Sequence, residues 1–262
     1  MTTVGQIINA VADFAPLSLQ ESWDNSGVQV GATDIACTGV MLCVDVTPDV
    51  IAEAAARGCN LVIAHHPLLF RGLKQIVPGN NIVQQAVIDA IRGGITVYSS
   101  HTALDSAPGG ISHRMAAMLG ARVTRVLAPA PDSASGGLGV VAVFDKPLAA
   151  AEFIGRVKAA FHSPVVRCSA WPAGDIGTIA LCGGSGGEFI AAAIAAGAQA
   201  YLSSDIRYHD FVDYGKQTFL CDIGHFEAES CAKQIFYELI SENFPNFAVY
   251  KSESETNSIK YL

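Results

Sequence analysis

Short apolar runs, each closed by a polar cluster or a glycine, alternate along this chain with longer stretches whose apolar positions recur every three or four residues. The short runs read as buried strands and the longer stretches as helices with one apolar face. Val4 to Phe14 has helical spacing, and Gly39 to Asp45 reads as a strand. Pro48 opens a helix over Asp49 to Arg57, which stops at Gly58 and feeds the strand Leu61 to Ala64. A helix over Asn80 to Arg92 ends in Gly93-Gly94 and leads to a strand from Ile95 to Ser99. After the Pro108-Gly109-Gly110 turn, Ile111 to Leu119 is helical again. This βαβαβα order predicts a mostly parallel sheet covered by helices.

From about 126 to 137 the composition shifts to Ala, Pro, Ser and Gly, marking a linker or hairpin between two halves. A second set follows: strand Gly139 to Phe144, helix Ala149 to Phe161, strands near Val165 and Ile179, helix Phe189 to Ala196 and strand Ala200 to Ser203. The tail adds strand Thr218 to Asp222, a long helix from about Phe226 to Glu242 and a last strand near Phe247 to Tyr250. The halves resemble one another. Ile51 to Gly58 and Ile190 to Gly197 are alanine-rich helices ending in glycine and running into apolar strands, which lays His65-His66 over Ser204-Asp205. Duplication is one reading; a recurrent helix-glycine-strand unit in an alanine-rich protein is the other. The fold class is therefore α/β: two similar lobes with mostly parallel sheets, the first made of residues 1–125 plus about 226–262, the second of 126–225, with a site in the cleft between them.

The strand ends carry the chemistry. His65-His66 closes the run Leu61 to Ala64, and two imidazoles there are poor core material, because their ring nitrogens need partners. Successive strand side chains point to opposite faces, so both rings reach one centre only where the chain leaves the sheet, as Pro67 favours. They are metal ligands, or one is exposed and the other hydrogen-bonded. His225 and Glu229 stand four apart, one turn on a helix face, a chelating spacing that ordinary exposed pairs share. His101 and Asp105 follow the strand Ile95 to Ser99 in a loop, as a hydrogen-bond partner and a turn cap or as ligands. Asp205 closes another strand. Gly183-Gly-Ser-Gly-Gly187 offers backbone N–H groups to a phosphate or carboxylate, or simply a tight turn. Trp23, among polar residues, would stack a base or wedge into a subunit contact. Taken together, histidine and carboxylate without thiolate suit two divalent ions among zinc, iron, manganese and cobalt.

Composition narrows the classes. The chain has 262 residues, of which 50% are hydrophobic and only 15% charged, enough for a large core and for buried subunit contacts. A formal charge of −8 argues against binding nucleic acid or an anionic membrane. The longest nearly apolar stretch, Phe189 to Leu202, is too short to span a bilayer. Seven cysteines without a Cys-x-x-Cys pair read as reduced thiols, and the first residues lack a basic-then-apolar signal, so a cytoplasmic protein is expected.

The run Trp23 to Gly31, His65-His66-Pro67, His101-Thr-Ala-Leu-Asp105 with Ala107 to Gly110, Gly183 to Gly187, Asp205-Ile-Arg-Tyr-His209, and Gly224-His225 with Glu229 together resemble the GTP cyclohydrolase 1 type 2 homolog family. The resemblance spans nearly the whole chain in the same order. It implies a toroidal homohexamer with dinuclear metal sites, ligated by His65, His66, Asp105, His225 and Glu229, with His101 and His209 lining the pocket as proton carriers. It further implies hydrolysis of a nucleotide-like or other small polar substrate. The rival expectation is a non-enzymatic metal-binding scaffold or metal-trafficking ring that docks a protein partner.

Overall fold

In the computed structural model, which describes residues 1–130, 133 and 135–262, Thr3 opens helix α1 (Val4–Phe14) through a capping box with Gln6. Val4, Ile7, Ile8 and Val11 form its buried stripe. Strand β1 (Gly27–Val30) precedes β2 (Val40–Cys43). Thr47 caps α2 (Pro48–Ala56), whose proline sits where the missing N–H costs nothing. Next come β3 (Leu61–Ala64), α3 (Ile82–Gly93, capped by Asn81 and ended by left-handed Gly94), β4 (Thr96–Ser99) and α4 (Thr102–Ser106). The chain continues through α5 (Ile111–Met118), β5 (Arg122–Pro129), β6 (Gly137–Leu148), α6 (Ala150–Phe161), β7 (Arg167–Cys168) and β8 (Ile176–Ser185). It closes with α7 (Ile190–Ala195), β9 (Ala200–Ser204), α8 (Tyr208–Tyr214), β10 (Phe219–Asp222), α9 (His225–Glu229), α10 (Ala232–Asn243) and β11 (Val249–Lys251).

These elements form two compact units. The first is Met1–Leu104 with Ala232–Ser258, the second Asp105–Cys231 with Ile259–Leu262. Residues 105–125, which the composition shift at 126 leaves with the first lobe, lie in the second unit, because β5 pairs with β6. The first unit has one sheet in the order β1-β4-β3-β2-β11, parallel apart from β1. Every residue of β2, β3 and β4 is buried, as strands covered on both faces require. Met41, Val62 and Val97 pack there with Ile51 and Val87 of α2 and α3.

The second unit's sheet runs β5-β6-β8-β9-β10-β7. It is mixed rather than mostly parallel: only β8–β9 and β9–β10 are parallel. The reason is local. β5 and β6 form a hairpin, β6 returns antiparallel to β8, and the two-residue β7 caps the far edge antiparallel to β10. The turn of that hairpin lies partly outside the described residues. The helix expected over 226–242 is two helices, α9 and α10, interrupted at Ser230-Cys231. Among the described residues no helix is long and apolar enough to cross a membrane.

One carboxylate fastens the end of the first unit. Glu53 of α2 accepts hydrogen bonds from the Ser252 and Ser254 hydroxyls (2.6 Å each) and from the Glu253 and Ser254 backbone N–H groups (3.1 Å each). Burial pushes its pKa up, but these donors outweigh it and hold the group at about 2. A depressed folded pKa stabilises fully above the unfolded value of about 4.3 and loses that contribution as pH falls toward the folded one. Replacing Glu53 by Gln is therefore expected to flatten the decline in thermal midpoint between about pH 4.3 and pH 2. A variant whose acid profile parallels the parent's would show that another group controls it.

Candidate metal centre

In the first unit the hydrogen-bond ladder outlasts β3. His65 N–H donates to the Cys43 carbonyl (3.2 Å) and His66 N–H to that of Val44 (2.9 Å), so both imidazoles project from the strand's C-terminal end. Their ring centroids are 5.0 Å apart. His101, just past β4, brings a third ring within 5.4 Å of His65 and 5.5 Å of His66. One nitrogen from each of the three lies within 4.8 Å of the others, close enough to share an ion. Trp23 and Phe70 flank His101 edge-on at 6.0 and 6.2 Å.

Each of these rings is held through Nδ1. His65 donates to the Ser100 carbonyl (3.1 Å), His66 to Asp45 Oδ1 (2.9 Å) and His101 to Asp24 Oδ1 (2.8 Å). All three partners are acceptors only, so the proton sits on Nδ1 and, in the neutral ring, the lone pair sits on Nε2. Asp24 is itself tied down by the Thr102 hydroxyl (2.5 Å) and the Ser26 hydroxyl (2.9 Å). Burial raises its pKa, but the bonds from His101 and Thr102 more than offset this and keep it ionised well below the usual carboxylate range.

The second unit has its own histidine and acidic residues. Asp222 closes β10, pairs with Arg167, and accepts from the backbone N–H groups of Ile206 (2.9 Å) and Gly224 (3.0 Å), which fixes the loop entering α9. His225 begins α9, and one turn later Glu229, 2% exposed, places Oε2 at 3.0 Å from His225 Nε2. Asp205 accepts from His225 Nδ1 at 2.7 Å from a left-handed backbone (φ 53°) that only a few residue types tolerate. The glycine segment expected to cradle an anion wraps this unit's own carboxylates. A methyl on Gly184 (φ 60°) would lie 2.2 Å from Glu229 Oε1, and one on Gly183 would lie 3.8 Å from Asp105 Oδ1. Asp105 is 9% exposed, on α4. His209 is exposed at the start of α8, its ring against Tyr208.

The donor set fits a divalent cation. His225 Nε2 faces Glu229 Oε2 at 3.0 Å, a contact that in the neutral ring with its proton on Nδ1 would set two lone pairs against each other. A divalent cation held by His225 and Glu229 would relieve that contact. Acceptors on Nδ1 are the usual support of metal-binding imidazoles. The sequence carries no signal that Asp24 and Asp45 support these rings. They stand 77 and 21 residues from their histidines, and no local spacing signals the pairing.

The chain matches the Duf34/NIF3 (NGG1p interacting factor 3) family over residues 2–258. It belongs to the DUF34/NIF3 family. The GTP cyclohydrolase 1 type 2 homolog of Clostridium perfringens is 33% identical over 231 residues, 86% of each chain. A Staphylococcus aureus protein of known structure is 26% identical, with a TM-score of 0.88 over 99% of both chains. The Bacillus cereus protein related to NIF3, 20% identical, shares the fold, with a TM-score of 0.89 over 100% of this chain and 99% of its own.

Asp205→Asn and Gly184→Ala are each expected to weaken zinc binding by about 10–100-fold in competition with a chelating dye, because each disturbs a support rather than a ligand. Unchanged affinity would assign both residues to folding alone.

Proposed function

We propose that the protein is a dinuclear-metal hydrolase of nucleotide-like or other small polar substrates, its metals held by His65, His66, Asp105, His225 and Glu229. The observation that carries this reading is the shared mode of support: four imidazoles, on three segments, each donate Nδ1–H to an acceptor-only oxygen. A structural histidine needs no such uniformity; a ligand needs a defined nitrogen. Bound zinc, iron, manganese or cobalt would supply Lewis acidity.

The remaining roles belong to the chain's own side chains. His101 takes up and returns a proton at Nε2, while Asp24 keeps the ring oriented. Trp23 and Phe70 shield that ring from water on one side. Asp45 and Asp205 hold the faces of His66 and His225. His209, the other imidazole assigned by family resemblance, would meet substrate from the solvent side. A toroidal homohexamer in the cytoplasm completes the reading. It is supported by the high apolar content and by seven cysteines that are all free.

Elemental analysis of purified protein should find two divalent ions per chain, reduced by His65→Ala or His225→Ala. His101→Ala should retain metal yet lower turnover by about 10²–10⁴-fold; His209→Ala tests the second imidazole in the same assay. Metal-replete protein inert toward nucleotides, phosphoesters and amides would remove the hydrolase assignment, and readily exchanged metal would then favour the scaffold. Sedimentation velocity reads the hexamer.

A further inference from the structure

A cavity of about 540 Å³ opens beside His66 within the first unit. Its size is that of a small-molecule site. One wall is apolar, formed by Pro67, Leu68, Ile82 and Val83; the other is polar, formed by Asp45, Asp49, Glu255 and the Ser254, Thr256 and Ser258 segment. Among the described residues no lysine or arginine lines it. The neighbouring cation, Lys233, is already paired with Glu255 Oε2 at 2.6 Å. Arg71 lines a separate hollow of about 310 Å³ that shares Leu68, Ile82 and Val83.

The polar wall is pre-built. Glu255, whose side chain is 3% exposed, accepts from the backbone N–H groups of Val44 (2.8 Å) and Asp45 (2.7 Å) through Oε1. Its charge is thereby spent on Lys233 and the backbone, and the same bonds fix the segment from which Asp45 reaches His66. Asp45 and Asp49 remain as exposed carboxylates facing the cavity. Carboxylates accept hydrogen bonds and repel anions.

We propose that this cavity binds a neutral or singly cationic ring compound of nucleoside size. The ligand presents amino or hydroxyl hydrogens to Asp45 and Asp49 and an apolar face to Leu68 and Ile82, and the cavity disfavours phosphorylated forms. The proposal deepens the hydrolase reading, on which it rests for the reacting edge of the ligand lying beside His66. It predicts that a nucleoside-like molecule, rather than a nucleoside triphosphate, is the better occupant of a family whose relatives carry a GTP-based name.

Calorimetric titration of zinc-loaded full-length protein with guanosine, GMP and GTP at low salt tests it. Guanosine should bind saturably, with affinity falling on the order of fivefold for each phosphate added and the differences shrinking as salt rises. Asp49→Asn should flatten the series, and Ile82→Trp should abolish guanosine binding while zinc content stays at the parent level. Affinity that rises from guanosine to GTP, absence of saturable guanosine binding, or binding indifferent to Ile82→Trp overturns the proposal. Parallel zinc analysis separates the two readings: a protein that takes up no metal yet shows the falling series keeps the cavity assignment and loses the metal one, and full metal uptake with a rising series does the reverse.

Discussion

An imidazole offers two nitrogens, and a site that needs one of them in a fixed place must first occupy the other. That constraint organises both units. Ser100 contributes a main-chain carbonyl, and Asp45, Asp24 and Asp205 contribute carboxylates, to four Nδ1 positions. The supports are anchored in turn: Asp24 by Thr102 and Ser26, and the backbone of Asp45 by Glu255. Substitution of a support thus acts through geometry, and its effects reach the imidazole without touching it.

The buried acids raise the complementary problem. Glu229 and Asp105 lie in an interior where an unpaired charge is costly. The second unit meets this by removing side chains rather than adding them. Gly184, near the end of β8, lets the strand's backbone come against Glu229, where a Cβ would lie 2.2 Å from Oε1, while Gly183 makes room for Ile111 with Asp105 at ordinary contact distance. Gly184 therefore sets the position of Glu229 from the strand side.

Much of this was legible in the amino-acid order. Fully buried runs such as Leu61 to Ala64 and helices with caps and apolar stripes, as in α1 and α3, carry their own signals. β1 did not, since its four residues follow a polar cluster and only the first and last are buried. Nor did α8, none of whose residues is fully buried and whose apolar contact with the core is confined to Phe211 and Tyr214. The mixed second sheet was hidden because strand direction depends on pairing partners, which periodicity leaves open. At the site, strand-end histidines stand out as misplaced polarity, and the spacing of four between His225 and Glu229 is readable. The aspartates that steer the rings are not, because each pairing joins segments 20 to 77 residues apart.

The discontinuous first unit bears on synthesis. β2 receives its outer neighbour from β11, and the pairing of Val40 with Val249 closes a very long stretch of chain. The second unit's body, Asp105–Cys231, is nearly contiguous and is synthesised before that neighbour exists. Until then β2 presents an unpaired edge, the kind of surface that invites mispairing with other chains. Nascent polypeptides stalled before residue 249 should accordingly be the ones that chaperones guard.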